Sequence, residues 1–303
     1  MTTAMQLTRR RGSIRRMVDV RSALLAAAAA FAALTATPAA AEPAVWTIRD
    51  ADSTIVLFGS VHLLPEGLKW RPQALDVALA RADDIWFETP TEGNETAVLA
   101  RRHGVLPVGE SLSAKLTPKG RERFERLAGQ YGLSPAALDG VKPWLADLTF
   151  SIAALVADGA VADAGVERTL AAAAPTAQRR YFETPEEQIG FLAGAPERDQ
   201  LLSLEETLRQ LDEEPAMFSE LIRAWVLGDQ QALERLGVTP IRKLSPALYE
   251  RLLAGRNRRW AEAIAARLDG SGDTVIVVGA GHLTGPDSVP ALLRARGVKV
   301  EGP

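Results

Sequence analysis

Two of the three histidines in this chain occupy the same short phrase, Gly59-Ser60-Val61-His62 and Gly279-Ala280-Gly281-His282. Each phrase follows a β-branched apolar run, residues 54–58 and 274–278, and such a run ending in glycine reads as a buried strand that stops and turns. Open parallel sheets place their ligands just past the carboxyl ends of strands. An imidazole there is a candidate metal ligand.

Carboxylates accompany the histidines. Glu88 ends the run Asp84-Ile85-Trp86-Phe87, and Phe87-Glu88-Thr89-Pro90 recurs as Phe182-Glu183-Thr184-Pro185. A carboxylate beside two aromatic residues needs a cation, a metal or hydrogen-bond donors. Two imidazoles and one or two carboxylates converging at strand ends would make an open metal site, with a position left for water. A further carboxylate could take the water proton as general base. The bland alternatives are a hydrogen-bonded structural histidine in each phrase, and a salt bridge or helix-terminus contact for each glutamate. The third histidine, His103, follows Arg101-Arg102 at a solvated helix end and carries no role.

Other chemistries are excluded or disfavoured. Cysteine is absent, so no thiol nucleophile, thiolate zinc site or iron–sulfur cluster is possible. No Gly-x-Ser-x-Gly elbow accompanies Ser60. The glycines 279, 281 and 285 lack the spacing of a dinucleotide loop, and the chain ends before a ribose-binding acid could follow.

The elements that must position these residues are read from the pattern. Residues 44–48 and 54–58 form a hairpin; 70–82 has helical spacing; 84–88 is a strand. A long helical middle section follows, in which 144–156 is apolar on nearly all faces and so expected to be buried. A short strand at 180–183, helices over 185–236 broken at Pro215 and Gly228, a long helix opened by Ser245-Pro246, a helix at 289–296 and a strand at 298–300 complete the chain. The expected class is α/β: a central mixed, largely parallel sheet with a large helical middle section packed on it.

Residues 1–41 read as an export signal: a basic stretch, an apolar stretch and Ala39-Ala40-Ala41 for cleavage, followed by one domain over 42–303 in the periplasm or outside the cell. Six of the 35 basic and one of the 38 acidic residues fall in that signal, which leaves a net charge of −8. Such a surface attracts neither nucleic acid nor anionic lipid, and no apolar run in the mature part is long enough to span a membrane.

The chain resembles the TraB/GumN family, which also includes the Tiki proteases. The resemblance runs from about residue 44 to 300. It rests on Gly59-Ser60-Val61-His62 with Leu63-Leu64-Pro65, Glu88, Lys142-Pro143-Trp144, and the stretch from Phe182-Glu183 to Gln188. Arg256-Asn257 with Trp260, and Val278-Gly279-Ala280-Gly281-His282-Leu283 with Gly285, complete it. It implies an α/β fold and a hydrolase dependent on a divalent metal (zinc, manganese or cobalt) that cleaves a peptide or protein substrate. His62, Glu88 and His282 would be the metal ligands and Glu183 a second carboxylate, as ligand or base. Arg256 and Asn257 would stabilise an oxyanion or orient a ligand. A non-catalytic metal- or haem-binding protein on the same fold is the rival, and an accessory role in polysaccharide biosynthesis a third. At Gly165-Val166-Glu167, where the family is expected to carry Gly-hydrophobic-Asp, Glu167 receives no assignment.

Overall fold

The apolar run before each Gly-x-x-His phrase forms a strand at the centre of a six-stranded sheet. The computed structural model describes residues 42–90 and 92–303; the expected export signal and its cut after Ala41 lie outside the described residues. The strands are β1 (Val45–Arg49), β2 (Ser53–Ser60), β3 (Leu64–Pro65), β4 (Asp84–Phe87), β5 (Ala160–Val161), β6 (Gln178–Tyr181), β7 (Gly272–Gly279) and β8 (Val300–Glu301). The main sheet has the order β6-β4-β7-β2-β1-β8, and β3 pairs with β5 in a separate two-stranded sheet.

The sheet is mixed. β6, β4, β7 and β2 run parallel, while β1 and β8 add an antiparallel margin. The hairpin β1–β2 is the one expected from the turn residues 49–53. The two central strands are buried on both faces, as strands of a covered parallel sheet must be. Val56 and Phe58 pack with Val275, Val277, Trp70 and Trp225 on one face. Ile55 and Leu57 pack with Ile276, Val278, Trp260 and Leu293 on the other. This alternation follows from the two-residue period of a strand.

The middle section carries its own core, in which Phe124, Leu127, Phe150, Leu204 and Leu208 are buried. The expected helix over 185–236 breaks at three places rather than two. Besides Pro215 and Gly228, the segment Gly194-Ala195-Pro196 separates Pro185–Ala193 from Glu197–Glu213, because proline cannot continue the first helix. The helix Pro143–Ala157 also departs from expectation. Trp144, Phe150 and Ala154 are buried, yet Leu148 and Ile152 are each 39 % exposed and Val156 is 53 % exposed. Leu148 and Ile152 help to line a cavity of about 400 Å³ that the two histidine loops also border. The apolar face is present as expected, but part of it borders open space.

Candidate active site

Glu183, Glu88, His282 and His62 lie just past the carboxyl ends of β6, β4, β7 and β2, four neighbouring parallel strands in that order. Tyr181, Phe87, Val277 and Phe58 are matched across the sheet. Every site residue follows that row within a few positions. The Glu183 N–H donates to the Glu88 carbonyl at 2.9 Å and carries the parallel pairing one step beyond the strands.

The centre of the group is a cation supplied by the chain itself. Arg256 Nη2 donates to Glu88 Oε2 at 2.6 Å and to Glu183 Oε2 at 2.7 Å, and Nε donates to Glu183 Oε1 at 2.8 Å. Nη1 donates to the Leu252 carbonyl and to His282 Nε2, both at 3.1 Å. These contacts use all five guanidinium N–H bonds, so Arg256 in this arrangement has none left for an incoming oxyanion. Arg256 stands directly after a π-helical turn, Glu250–Ala254, inside one long helical run that continues as Gly255–Arg267. Such wide turns occur at functional sites.

Asn257, the next residue, fixes His282. Its Oδ1 lies 2.5 Å from His282 Nδ1, and its Nδ2 donates to the Asp287 carbonyl at 2.8 Å. The network assigns the His282 proton to Nδ1, which leaves Nε2 as the acceptor from Arg256. Burial pushes the His282 pKa down to about 3, so the ring is neutral. Asn257 therefore acts by orienting an imidazole. Trp260 lies against that ring at 4.3 Å between centroids and under the Arg256 guanidinium at 4.7 Å. Phe182 stacks on Trp260 at 5.0 Å. This aromatic shell excludes water and strengthens every charge interaction inside it.

Glu88 receives the Gly279 N–H at 2.7 Å on Oε1. Burial would raise its pKa; facing His282, Arg256 and His62, together with the Gly279 amide, overcome this and hold it well below the usual carboxylate range. The first glycine of the second histidine phrase is needed for that approach, since a β-carbon on Gly279 would stand 3.1 Å from Glu88 Oε1. Gln188, one turn into the helix Pro185–Ala193, reaches Glu88 Oε2 at 3.5 Å.

His62 differs from His282. Its side chain is 67 % exposed, and its Nδ1 lies 2.7 Å from Oε1 of buried Glu167. The Glu167 charge raises the His62 pKa above the usual imidazole value. Glu167 stands in the first turn of Val166–Ala173, a helix docked by the Val166 N–H on the Val61 carbonyl at 3.1 Å. Gly165 permits this docking: a β-carbon there would lie 2.1 Å from the His62 carbonyl oxygen. Glu167, the partner of His62, is a side chain to which the sequence pattern assigned no role, and Gly165 two positions earlier was the available signal.

The expected metal ligands are thus neighbours without forming a coordination sphere. Both imidazoles engage Nδ1 and leave Nε2, the pattern of metal-binding histidines. The Arg256 guanidinium, however, already occupies His282 Nε2 and Glu88 Oε2. Among the described residues no group of three or more histidine, aspartate or glutamate side chains could hold a metal ion. The residues as arranged do not fit one.

The fold and site define an α/β protein with two strand-end histidines, one locked in a buried ion-pair network and one open to solvent. The chain belongs to the TraB/PrgY/gumN family, whose sequence profile matches residues 44–302. It is similar to an uncharacterized protein, YbaP, of Escherichia coli (strain K12), at 24 % identity over 78 % of this chain and 87 % of that one. An uncharacterized protein of Treponema pallidum (strain Nichols) is 25 % identical over 83 % of this chain and 80 % of its own length. No solved structure gives a significant match.

Proposed function

We propose that this chain is an exported hydrolase of ester or amide bonds in which His62 moves the proton. The observation that carries this reading is the pair His62–Glu167: a buried carboxylate 2.7 Å from Nδ1 of an imidazole otherwise open to solvent. With Nδ1 anchored, Nε2 faces the cleft; the Glu167 charge raises the His62 pKa to about 9, so at neutral pH the ring is an imidazolium that gives its Nε2 proton to the leaving atom and regains one from water. The Arg256 network holds Glu88 and His282 beside this position as fixed charges and dipoles that need no reorganisation during reaction. The peptide bond belongs to the bond class such a site would cleave.

A divalent-metal enzyme is the second reading, favoured by the engaged Nδ1 atoms of both histidines. It requires Arg256 to leave His282 Nε2. Hydrolysis of p-nitrophenyl esters by the purified chain, with and without EDTA, separates the two. Activity that survives EDTA supports the His62 reading. Activity lost with EDTA and restored by zinc, manganese or cobalt supports the metal reading, and absence of hydrolysis under every condition contradicts both.

A further inference from the structure

The cavity beside His62 has walls unlike the rest of the site. Its volume is about 400 Å³, and its polar side chains are Ser60, His62 and Ser151. Leu148, Ile152 and Leu155 line it from the helix Pro143–Ala157; Phe218, Ile222 and Trp225 line it from Met217–Val226. The Trp225 indole N–H is already donated to the Gly59 carbonyl at 2.9 Å. Among the described residues the wall carries no lysine, arginine, aspartate or glutamate. Both histidine loops border the space, through Ser60–Leu63 and through Gly279, Ala280 and Gly281.

We infer that this cavity receives the hydrocarbon chain of an acyl group whose carbonyl stands at His62. The inference rests on the hydrolase reading above and names its substrate class, an ester or amide of a medium-length fatty acid. Each residue of a bound polypeptide brings a backbone N–H and C=O that must find partners. The walls offer few, because the two helices spend their backbone groups internally, the Val61 carbonyl accepts the Val166 N–H and the Gly279 N–H is donated to Glu88. A hydrocarbon chain makes no such demand. At the ~30 Å³ that a water-sized group takes up, the cavity holds a chain of about a dozen carbons.

The reaction balances without a co-reactant other than water. The acyl carbon gains a bond to the water oxygen and loses its bond to the ester oxygen or amide nitrogen. One water proton passes through His62 to the leaving atom, giving a carboxylic acid and an alcohol or amine. There is no change of oxidation state.

The test uses p-nitrophenyl acetate, butyrate, octanoate and laurate as substrates, with laurate binding to the purified chain measured by calorimetry. The expected kcat/KM rises by about fourfold for each added methylene until the cavity is filled. Leu148→Gln and Ile152→Gln, at positions each 39 % exposed, should weaken laurate binding and flatten the chain-length dependence, with unfolding midpoints recorded beside wild type. His62→Ala should lower kcat/KM by about 10²–10⁴-fold for every chain length. Hydrolysis that depends on His62 with no chain-length preference and no laurate binding would overturn the acyl-chain inference and leave the hydrolase reading intact. Cleavage of a hydrophobic peptide by a chain that does not bind laurate would do the same. Laurate binding that is sensitive to Ile152→Gln, with no ester or amide hydrolysed, would uphold the cavity's ligand class and overturn the hydrolase reading.

Discussion

Arg256 Nη1 lies 3.1 Å from His282 Nε2, so the histidine of the second Gly-x-x-His phrase faces a guanidinium fixed by two buried glutamates. Burial keeps His282 neutral and the guanidinium adds to that effect, which separates the duties of the two histidines. One belongs to the scaffold of charges; the other is open to the cleft.

Removing the central cation should be costly. Arg256→Met would leave Glu88 and Glu183 buried without their partner, and breaking a buried pair in this way costs about 3–5 kcal/mol. Arg256→Lys should recover only part of this loss, because an ammonium cannot reproduce the forked contacts to Glu183 and the donation to His282. Urea unfolding of the variants beside wild type measures both effects. A loss below about 1 kcal/mol for Arg256→Met, the scale of an exposed ion pair, would contradict a buried network of this kind.

Gly165 has no room for a side chain. Gly165→Ala would drive a β-carbon against the His62 carbonyl oxygen, now 2.1 Å from where it would stand. A backbone shift of that kind costs about 1–3 kcal/mol, and it would move the Glu167 helix away from the His62 imidazole. The expected result is a lower unfolding midpoint together with reduced ester hydrolysis. Wild-type behaviour in both measurements would show that the loop relaxes freely.

The strand ends were legible in the sequence because each is a β-branched or aromatic run closed by glycine or by Phe-Glu-Thr-Pro. The parallel core of the sheet and the gathering of His62, Glu88, Glu183 and His282 follow from that pattern. The partners of these residues were not legible. Glu88 needed a cation, and no spacing rule says that the cation is a side chain 168 positions away. The Glu167 contact with His62 depends on how a helix docks on a loop, which shows in the sequence only as a glycine. The helix Pro143–Ala157 was legible as apolar, while the open cavity along part of it was not, since periodicity reports which faces are apolar and not what lies against them.

Asp147 offers a pH test away from the histidines. It is partly buried, accepts from the Ser203 hydroxyl at 2.6 Å, and burial raises its pKa above the ordinary aspartate value despite that donor. A raised folded-state pKa means that the native state binds the proton more tightly than the unfolded chain. This contribution to stability is present at acid pH and is lost as pH rises through the folded value. Asp147→Asn keeps an acceptor for Ser203 without the charge. Its stability relative to wild type should therefore increase as pH is raised from about 4, near the unfolded aspartate value, to about 7. Urea midpoints across this range check the sign, and a difference that shrinks with rising pH would refute it.

The Glu183 strand end is held by a capping box. Thr184 Oγ1 accepts the Glu187 N–H at 3.2 Å, and the Glu187 carboxylate accepts the Thr184 N–H at 2.8 Å. Thr184→Ala should cost about 1 kcal/mol through loss of the cap. Since this cap begins the helix that carries Gln188 to Glu88, a modest loss of hydrolysis should accompany the loss of stability. Denaturant unfolding and ester assays on the same preparation read both.

In the proposed mechanism Glu167 positions His62, and its charge and its geometry are separable. Glu167→Gln retains an acceptor of similar shape but also presents an amide N–H that can select the wrong imidazole tautomer. Loss of tautomer control in a comparable acid–histidine pair lowers turnover by up to about 10⁴-fold. The fall should appear in kcat more than in KM, with stability little changed. An unaltered kcat would remove Glu167 from the mechanism.

The most direct measurement is kcat/KM for ester hydrolysis by wild type and His62→Ala, with unfolding midpoints recorded on the same samples. His62→Ala also leaves the buried Glu167 carboxylate without its partner, so its midpoint should fall, and the rates are compared where both proteins are fully folded. If His62 moves the proton, kcat/KM falls by about 10²–10⁴-fold, the contribution expected of a positioned proton-transfer group. Equal rates for the two proteins would contradict that role.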